Sequence, residues 1–182
     1  MARRAAEPLT GALAGPRVVL RPAAGDDLPT IERWYPEAVA ASMGLSRGDA
    51  PGTQNLHFEL EAARAAAPDG ALLVIARADD PAPVGLLDYR ANSPGPRWLT
   101  VAFIALARGR RGWGLGSEAM RLLEAEAARR FGSRRFLAGV DPRNGLGLYF
   151  WLRLGYRPAR LDDGLPPPRA GAFAMVRAVA PR

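Results

Sequence analysis

Arg108-Gly109-Arg110-Arg111-Gly112-Trp113-Gly114-Leu115-Gly116-Ser117 packs four glycines and three arginines into ten residues. An apolar run, Trp98 to Leu106, leads into it, and a pattern of helical period, Ser117 to Phe131, leads out. A glycine-rich turn therefore joins a strand to a helix. Glycines let main-chain N–H groups converge with no Cβ in the way. The helix that follows contributes unpaired N–H groups and the positive end of its dipole. Arg108, Arg110 and Arg111 add full charge, and a pyrophosphate is the natural occupant of such an anion site. No Gly-Lys-Ser/Thr follows, so the turn is not a P-loop. The run Gly112-Trp113-Gly114-Leu115-Gly116 also has the wrong spacing for a dinucleotide fingerprint.

Working outward, Phe136-Leu137-Ala138-Gly139-Val140 reads as a strand after the helix, so strand, helix and strand imply a parallel pair. Upstream, Ala71–Arg77, Val84–Arg90 and Trp98–Leu106 are three strands joined by turns at 79–83 and 92–96, an antiparallel meander. Arg17–Pro22 is a short strand stopped by proline. Asp26-Asp27-Leu28-Pro29 starts a helix with inner residues Ile31, Trp34 and Tyr35, which Pro36 ends or kinks. Residues 37–43 are partly helical and 54–67 form a second helix. Downstream, Asn144–Leu154 is a helix capped at Gly155. Tyr156–Leu161 and Phe173–Val179 are strands around a proline-rich loop. The expected fold is α/β (α+β), one domain over 17–182, with a mixed sheet of about seven strands and about four helices. Residues 1–16 read as a flexible N-terminal arm, in which Glu7, Pro8, Thr10 and Gly11 interrupt any signal-like apolar core.

The bulk numbers narrow the chemistry. A chain of 182 residues, 48% apolar and 24% charged, fits one soluble domain with a real core. Without cysteine there is no disulfide, thiolate metal site or Cys nucleophile. The single histidine, His57, argues against a metal cluster or a His-based triad. The formal charge is +7, and every basic residue is arginine. That charge attracts anions in general, and its spread along the chain does not make a nucleic-acid stripe. No apolar run approaches a membrane span of about 20 residues. The expectation is a cytoplasmic protein with no metal, no specific nucleic acid and no membrane partner, with a homodimer left open.

The turn resembles the signature of the GNAT superfamily of acyl-CoA-dependent N-acetyltransferases. Its motif is Arg/Gln-x-x-Gly-x-Gly/Ala, here Arg111-Gly112-Trp113-Gly114-Leu115-Gly116. The element order from Arg17 to Val179 is similar to the family's, and Leu20-Arg21-Pro22 followed by Asp27-Leu28 resembles its opening. The second motif, Asn-x-x-Ala/Ser-x-x-x-Tyr-x-x-x-Gly-Phe, is matched at Asn144, Gly147, Gly155 and Tyr156. The resemblance implies a sheet splayed to form an acyl-CoA cleft, with acetyl-CoA as co-substrate. It implies that main-chain N–H groups of Arg111, Gly112, Trp113, Gly114, Leu115, Gly116 and Ser117 bind the pyrophosphate. The backbones of Ile104 and Leu106 would run beside the pantetheine arm, and Asn144 would bond that arm, cap its helix, or both. The ring of Trp113 either faces solvent or adenine, or simply packs. Arg108 and Arg110 reach phosphates or remain solvated.

Trp151 departs from the pattern, since the family often has a tyrosine there as general acid. An indole N–H can hydrogen-bond a thiolate but has no proton to give. Tyr149 lies two residues earlier, about 200° round the helix, and reaches the cleft only if the helix is shifted. Of the acidic residues placed to approach the cleft (Glu59, Glu61, Asp88), Asp88 is the candidate base, because it interrupts an apolar strand; a solvated, outward Asp88 fits alternation equally. Three readings follow: an N-acetyltransferase acting on a primary amine, with a small molecule favoured as acceptor; a non-catalytic acyl-CoA-binding or regulatory domain, motivated by Trp151; and a nucleic-acid binder, motivated by charge alone.

Overall fold

The apolar runs and their glycine and proline breaks become a single sheet. The computed structural model describes residues 9–42, 69–165 and 172–179. Among these the strands are β1 (Leu13–Ala14), β2 (Val18–Pro22), β3 (Gly70–Arg77), β4 (Asp80–Ala91), β5 (Trp98–Leu106), β6 (Arg135–Val140), β7 (Arg157–Pro158) and β8 (Phe173–Ala178). The helices are α1 (Leu28–Glu32), α2 (Tyr35–Ser42), α3 (Leu115–Arg130) and α4 (Gly145–Arg153). The sheet order is β1-β2-β3-β4-β5-β6-β8-β7. Among these strands only β5 and β6 pair in parallel, because α3 carries the chain back between them. This is the mixed, open α+β architecture expected from the sequence.

Strand alternation sorts the side chains onto two faces. Leu20, Leu73, Ile75, Leu87, Tyr89, Leu99 and Val101 pack under α3 through Leu115, Ala119, Met120, Leu123 and Ala127. Leu72, Val74, Ala76 and Leu86 face Ile31, with Trp34, Tyr35 and Phe103 packed alongside. Each fully buried Leu or Ile contributes about 1.5–3 kcal/mol, so the two-sided sheet is the main source of stability. No helix among the described residues is long and apolar enough to cross a membrane.

The sheet opens where β5 and β6 part. Their parallel pairing runs only from Trp98↔Arg135 to Val101↔Ala138. Opposite Tyr89 stands Val101, whereas opposite Asp88 stands Phe103, so Ala102 is an extra, bulged residue in β5. A bulge bends its strand and raises its twist. Beyond it β5 follows β4 as far as Gly85↔Leu106, while β6 stays with β8 to Val140↔Phe173. Gly85 permits this: a Cβ there would lie 2.5 Å from Leu106 Cδ2 and 2.6 Å from the Ala105 carbonyl oxygen.

Three expectations change. Residues 9–16 are not a loose arm: Leu9 is buried, its N–H donates to Tyr89 Oη at 2.9 Å, and β1 pairs with β2 as an eighth strand. A two-residue strand has no alternation to read. The helix expected to end or kink at Pro36 breaks just ahead of it, between Glu32 and Tyr35, and Pro36 itself sits in the first turn of α2, where its missing N–H costs nothing. The strand expected over 156–161 shrinks to Arg157–Pro158, and a short 3-10 turn, Leu161–Asp163, follows. The helix expected over 54–67 and residues 1–8 lie outside the described residues.

Candidate active site

The chain leaves β5 through Ala107, makes a 3-10 turn at Arg108–Arg110, and enters α3. Gly112 (φ 82°) and Gly114 (φ 80°) take left-handed backbone, which L residues adopt only at a cost. Gly114 is the N-cap, and the first helical bond runs from Glu118 N–H to its carbonyl at 3.1 Å. Among the described residues, the N–H groups from Gly112 to Ser117 have no acceptor. Six adjacent donors with no partner, at a helix N-terminus, make a site for an anion.

Two arginines pin this turn. Arg17 donates from Nη1 to the Trp113 carbonyl at 3.0 Å and from Nε to Glu118 Oε2 at 2.9 Å. Glu118 Oε1 accepts the N–H groups of Arg17 and Val18 at 2.7 and 3.0 Å. Burial pushes the Glu118 carboxyl up, but these donors outweigh it and hold it below the usual range. Arg111 donates from Nε to the Leu106 carbonyl at 2.8 Å and places Nη1 and Nη2 on Glu37 of α2 at 3.1 and 2.8 Å. Its side chain is thus committed within the protein. Trp113 is 71% exposed, and Arg108 and Arg110 are also exposed. Leu115 and Gly116 are buried, and a Cβ on Gly116 would sit 3.4 Å from Phe150 Cε2 and 3.5 Å from Leu106 Cδ1.

The main chain of β5 lines one bank of the gap. Ala107 N–H bonds the Val84 carbonyl at 2.9 Å, so by alternation Leu106 and Ile104 turn their N–H and C=O groups away from β4. Their side chains pack on the α3 face. Phe103 points to the other face, 5.9 Å from the ring of Tyr35.

The other bank is β6 and the start of α4. Asn144 caps α4, with Oδ1 accepting from Gly147 N–H at 2.7 Å, while its Nδ2 donates to the Ser42 carbonyl at the end of α2, 3.1 Å away. The Arg143 guanidinium beside Asp141 holds that carboxyl down to about 2. Trp151 is 5% exposed and packs on Phe150 and Tyr156, with ring centroids 5.0 and 4.7 Å apart. Tyr156 Oη donates to Glu124 Oε1 at 2.7 Å, and Arg177 Nη1 donates to Glu124 Oε2. Burial pushes both Glu124 and Tyr156 up. Tyr149 is 59% exposed, with the Arg153 guanidinium over its ring, so the half-turn between it and Trp151 separates solvent from core.

Asp88 stands on the α1–α2 face of β4, opposite Phe103 on one side and Leu72 on the other. Burial raises its carboxyl above the ordinary range, and the charge of Arg90 offsets part of that. It makes no hydrogen bond among the described residues. Glu59, Glu61 and His57 lie outside them. No group of three or more His, Cys, Asp or Glu among the described residues is arranged to hold a metal.

The turn, Ile104, Leu106 and Asn144 thus border the parting of β5 and β6, with Asp88 on the neighbouring strand; Tyr149 is exposed, and Trp151, expected at the cleft, is enclosed in the core by Phe150 and Tyr156. Sequence reading missed Glu37, Glu118 and Phe150. Glu118 carried a signal, an acidic residue in the first helical turn; Glu37 carried none, because its partner lies 74 residues away.

Solved structures share this fold at low identity. An acetyltransferase from Thermus thermophilus matches with TM-score 0.69 and 22% identity, covering 93% of this chain and 100% of that one. An acetyltransferase from Agrobacterium tumefaciens gives 0.71 and 19%, covering 93% and 95%. The PaiA N-acetyltransferase from Thermoplasma acidophilum, in complex with coenzyme A, gives 0.63 and 16%, covering 89% and 99%. These likenesses establish the fold. No curated protein matches the sequence. The family model for the acetyltransferase (GNAT) family matches residues 34–156, which run from the end of α1 to the tyrosine after α4. The chain belongs to the acetyltransferase (GNAT) family.

Proposed function

We propose that this protein is an N-acetyltransferase that moves an acetyl group from acetyl-CoA to a primary amine by direct attack in a ternary complex, with a small molecule as acceptor. The observation that carries the reading is the run of unpartnered N–H groups from Gly112 to Ser117, set at the end of a strand whose main chain has left its neighbour. Donors of this kind fit a diphosphate, and the gap fits an extended arm. Bound acetyl-CoA supplies an activated acyl thioester.

The residues of the chain do the rest. The turn amides hold the diphosphate, and the gap-facing main chain of Ile104 and Leu106 aligns the arm. An N–H freed at the β5 bulge is a fixed donor for the carbonyl oxygen as charge develops there. Asn144 orients the near end of α4. Asp88 takes the proton from the incoming ammonium, a task suited to a carboxyl held above its ordinary range. Trp151 offers an N–H but no proton, and Tyr149 faces solvent, so the proton on the departing thiol comes from the amine or from water. The same reading puts the enzyme at work in the cytoplasm, without a nucleic-acid or membrane partner.

Trp151 at the usual tyrosine position favours one other reading, a non-catalytic acyl-CoA-binding domain. Thiol release from acetyl-CoA across a panel of primary amines separates the two. Amine-dependent release supports the enzyme, coenzyme A binding without release supports the binding domain, and the absence of both overturns the acyl-CoA reading.

A further inference from the structure

Helix α2 is fastened to both banks of the gap. On the β5 bank, Glu37 takes both Nη groups of Arg111, and Arg111 Nε holds the Leu106 carbonyl. On the β6 bank, the Ser42 carbonyl takes Asn144 Nδ2. The two attachment points are five residues apart, about 7.5 Å along a helix axis at about 1.5 Å per residue. Paired strands stand about 4.8 Å apart, so α2 is long enough to cross strands that have separated. The helix also packs on β5 and on α1. None of these fastenings is needed to form the sheet, and each ends on a residue of the proposed acyl-CoA site.

We propose that α2 is a strap that sets the width of the gap, and that Glu37 is a positioning residue acting through Arg111. The inference rests on the acyl-CoA reading above and adds what holds that site in register. Arg111 contributes geometry to the site. Its fork is spent on Glu37 and its Nε on Leu106, so the phosphates are left to the turn amides. Glu37 also neutralises a guanidinium next to an anion site. Removing the Glu37 charge therefore has two opposite effects. The site becomes more positive, which favours an anion. The Leu106 carbonyl and the strand leading to Ile104 lose their brace, which misplaces the reacting groups.

Glu37→Gln tests this in the full-length protein. The expected result is a split: coenzyme A binds at least as tightly as to the wild type by calorimetry, while kcat falls about tenfold or more, as misplacement of a reacting group does. Asn144→Asp tests the other fastening, because a carboxylate oxygen still caps Gly147 N–H while the Nδ2 donor is gone; it lowers kcat in the same way. Combined, the two changes cost less than the product of their separate effects, since both loosen one strap. Glu37→Asp, which keeps the charge on a shorter stem, recovers part of the loss. Unchanged kcat in both single variants overturns the strap, and so does a coenzyme A affinity that falls in parallel with the melting temperature, the mark of a purely structural brace. A wild-type protein that binds no coenzyme A removes the underlying reading and the strap together.

Discussion

Replacing Gly114 with alanine probes the backbone on which the anion site depends, and Gly116→Ala, two residues on, is its control. Gly114 sits at φ 80°, ψ 2°. An L residue in that region costs about 1–2 kcal/mol. The nearest heavy atom to a Cβ there is Arg17 Nη2 at 3.3 Å, the end of a flexible side chain that can yield, so the cost is conformational. For a domain of this size about 1 kcal/mol moves the melting temperature by about 2–4 °C, so Gly114→Ala melts about 2–8 °C lower. If the chain relieves the strain by turning the Gly114 peptide, the N–H cluster loses its shape and coenzyme A binding weakens. Gly116 has no positive φ, and its new Cβ makes ordinary contacts with Phe150 and Leu106. Alanine in a helix is better than glycine by up to about 1 kcal/mol, so Gly116→Ala melts at or slightly above the wild type and keeps its affinity. Scanning calorimetry and isothermal titration with coenzyme A read both quantities. Equal losses in the two variants, or a Gly114→Ala protein that matches the wild type in both, would refute this account of the turn.

Two further outcomes follow from the carboxyls of Asp88 and Glu124. Asp88 acts as a base only when ionised, and burial raises its pKa, so kcat/KM climbs as pH rises through a value above the ordinary aspartate range. Asp88→Asn abolishes that acidic limb and lowers the plateau by about 10²–10⁴-fold; a pH–rate profile with its limb intact would remove Asp88 from the chemistry. Tyr156→Phe deletes the hydroxyl that donates to Glu124 but keeps the ring against Trp151. A hydrogen bond to a charged group is worth about 1.5–3 kcal/mol, so urea unfolding shifts by about that much while the folded-state tryptophan emission stays in place.

How much of this is legible in the sequence depends on how local each cause is. The strand from Trp98 to Leu106 and the helix after it are readable because an apolar run, a glycine cluster and a helical period follow one another. The opposed fates of Tyr149 and Trp151 follow from helix geometry, which needs only their spacing. The bulge at Ala102 is not readable, because one alanine in an apolar run carries no signal and the extra residue is defined only by the partner strand. The same holds for β1, whose two residues become a strand by docking on β2. Pro36 misleads because proline serves equally as the end of one helix and the first turn of the next. The role of Arg111 is half visible: its place in the motif is local, while Glu37, which decides where its side chain goes, comes from α2 and has no signal at all.

Backbone amide chemical shifts, followed while coenzyme A is titrated into the wild-type protein, report on the anion site residue by residue. The largest saturable shifts are expected on the N–H groups of residues 112–117, with smaller ones at Ile104 and Leu106 along the gap. Binding that leaves the amides of residues 112–117 unmoved, or that moves another surface instead, would contradict this reading of the turn.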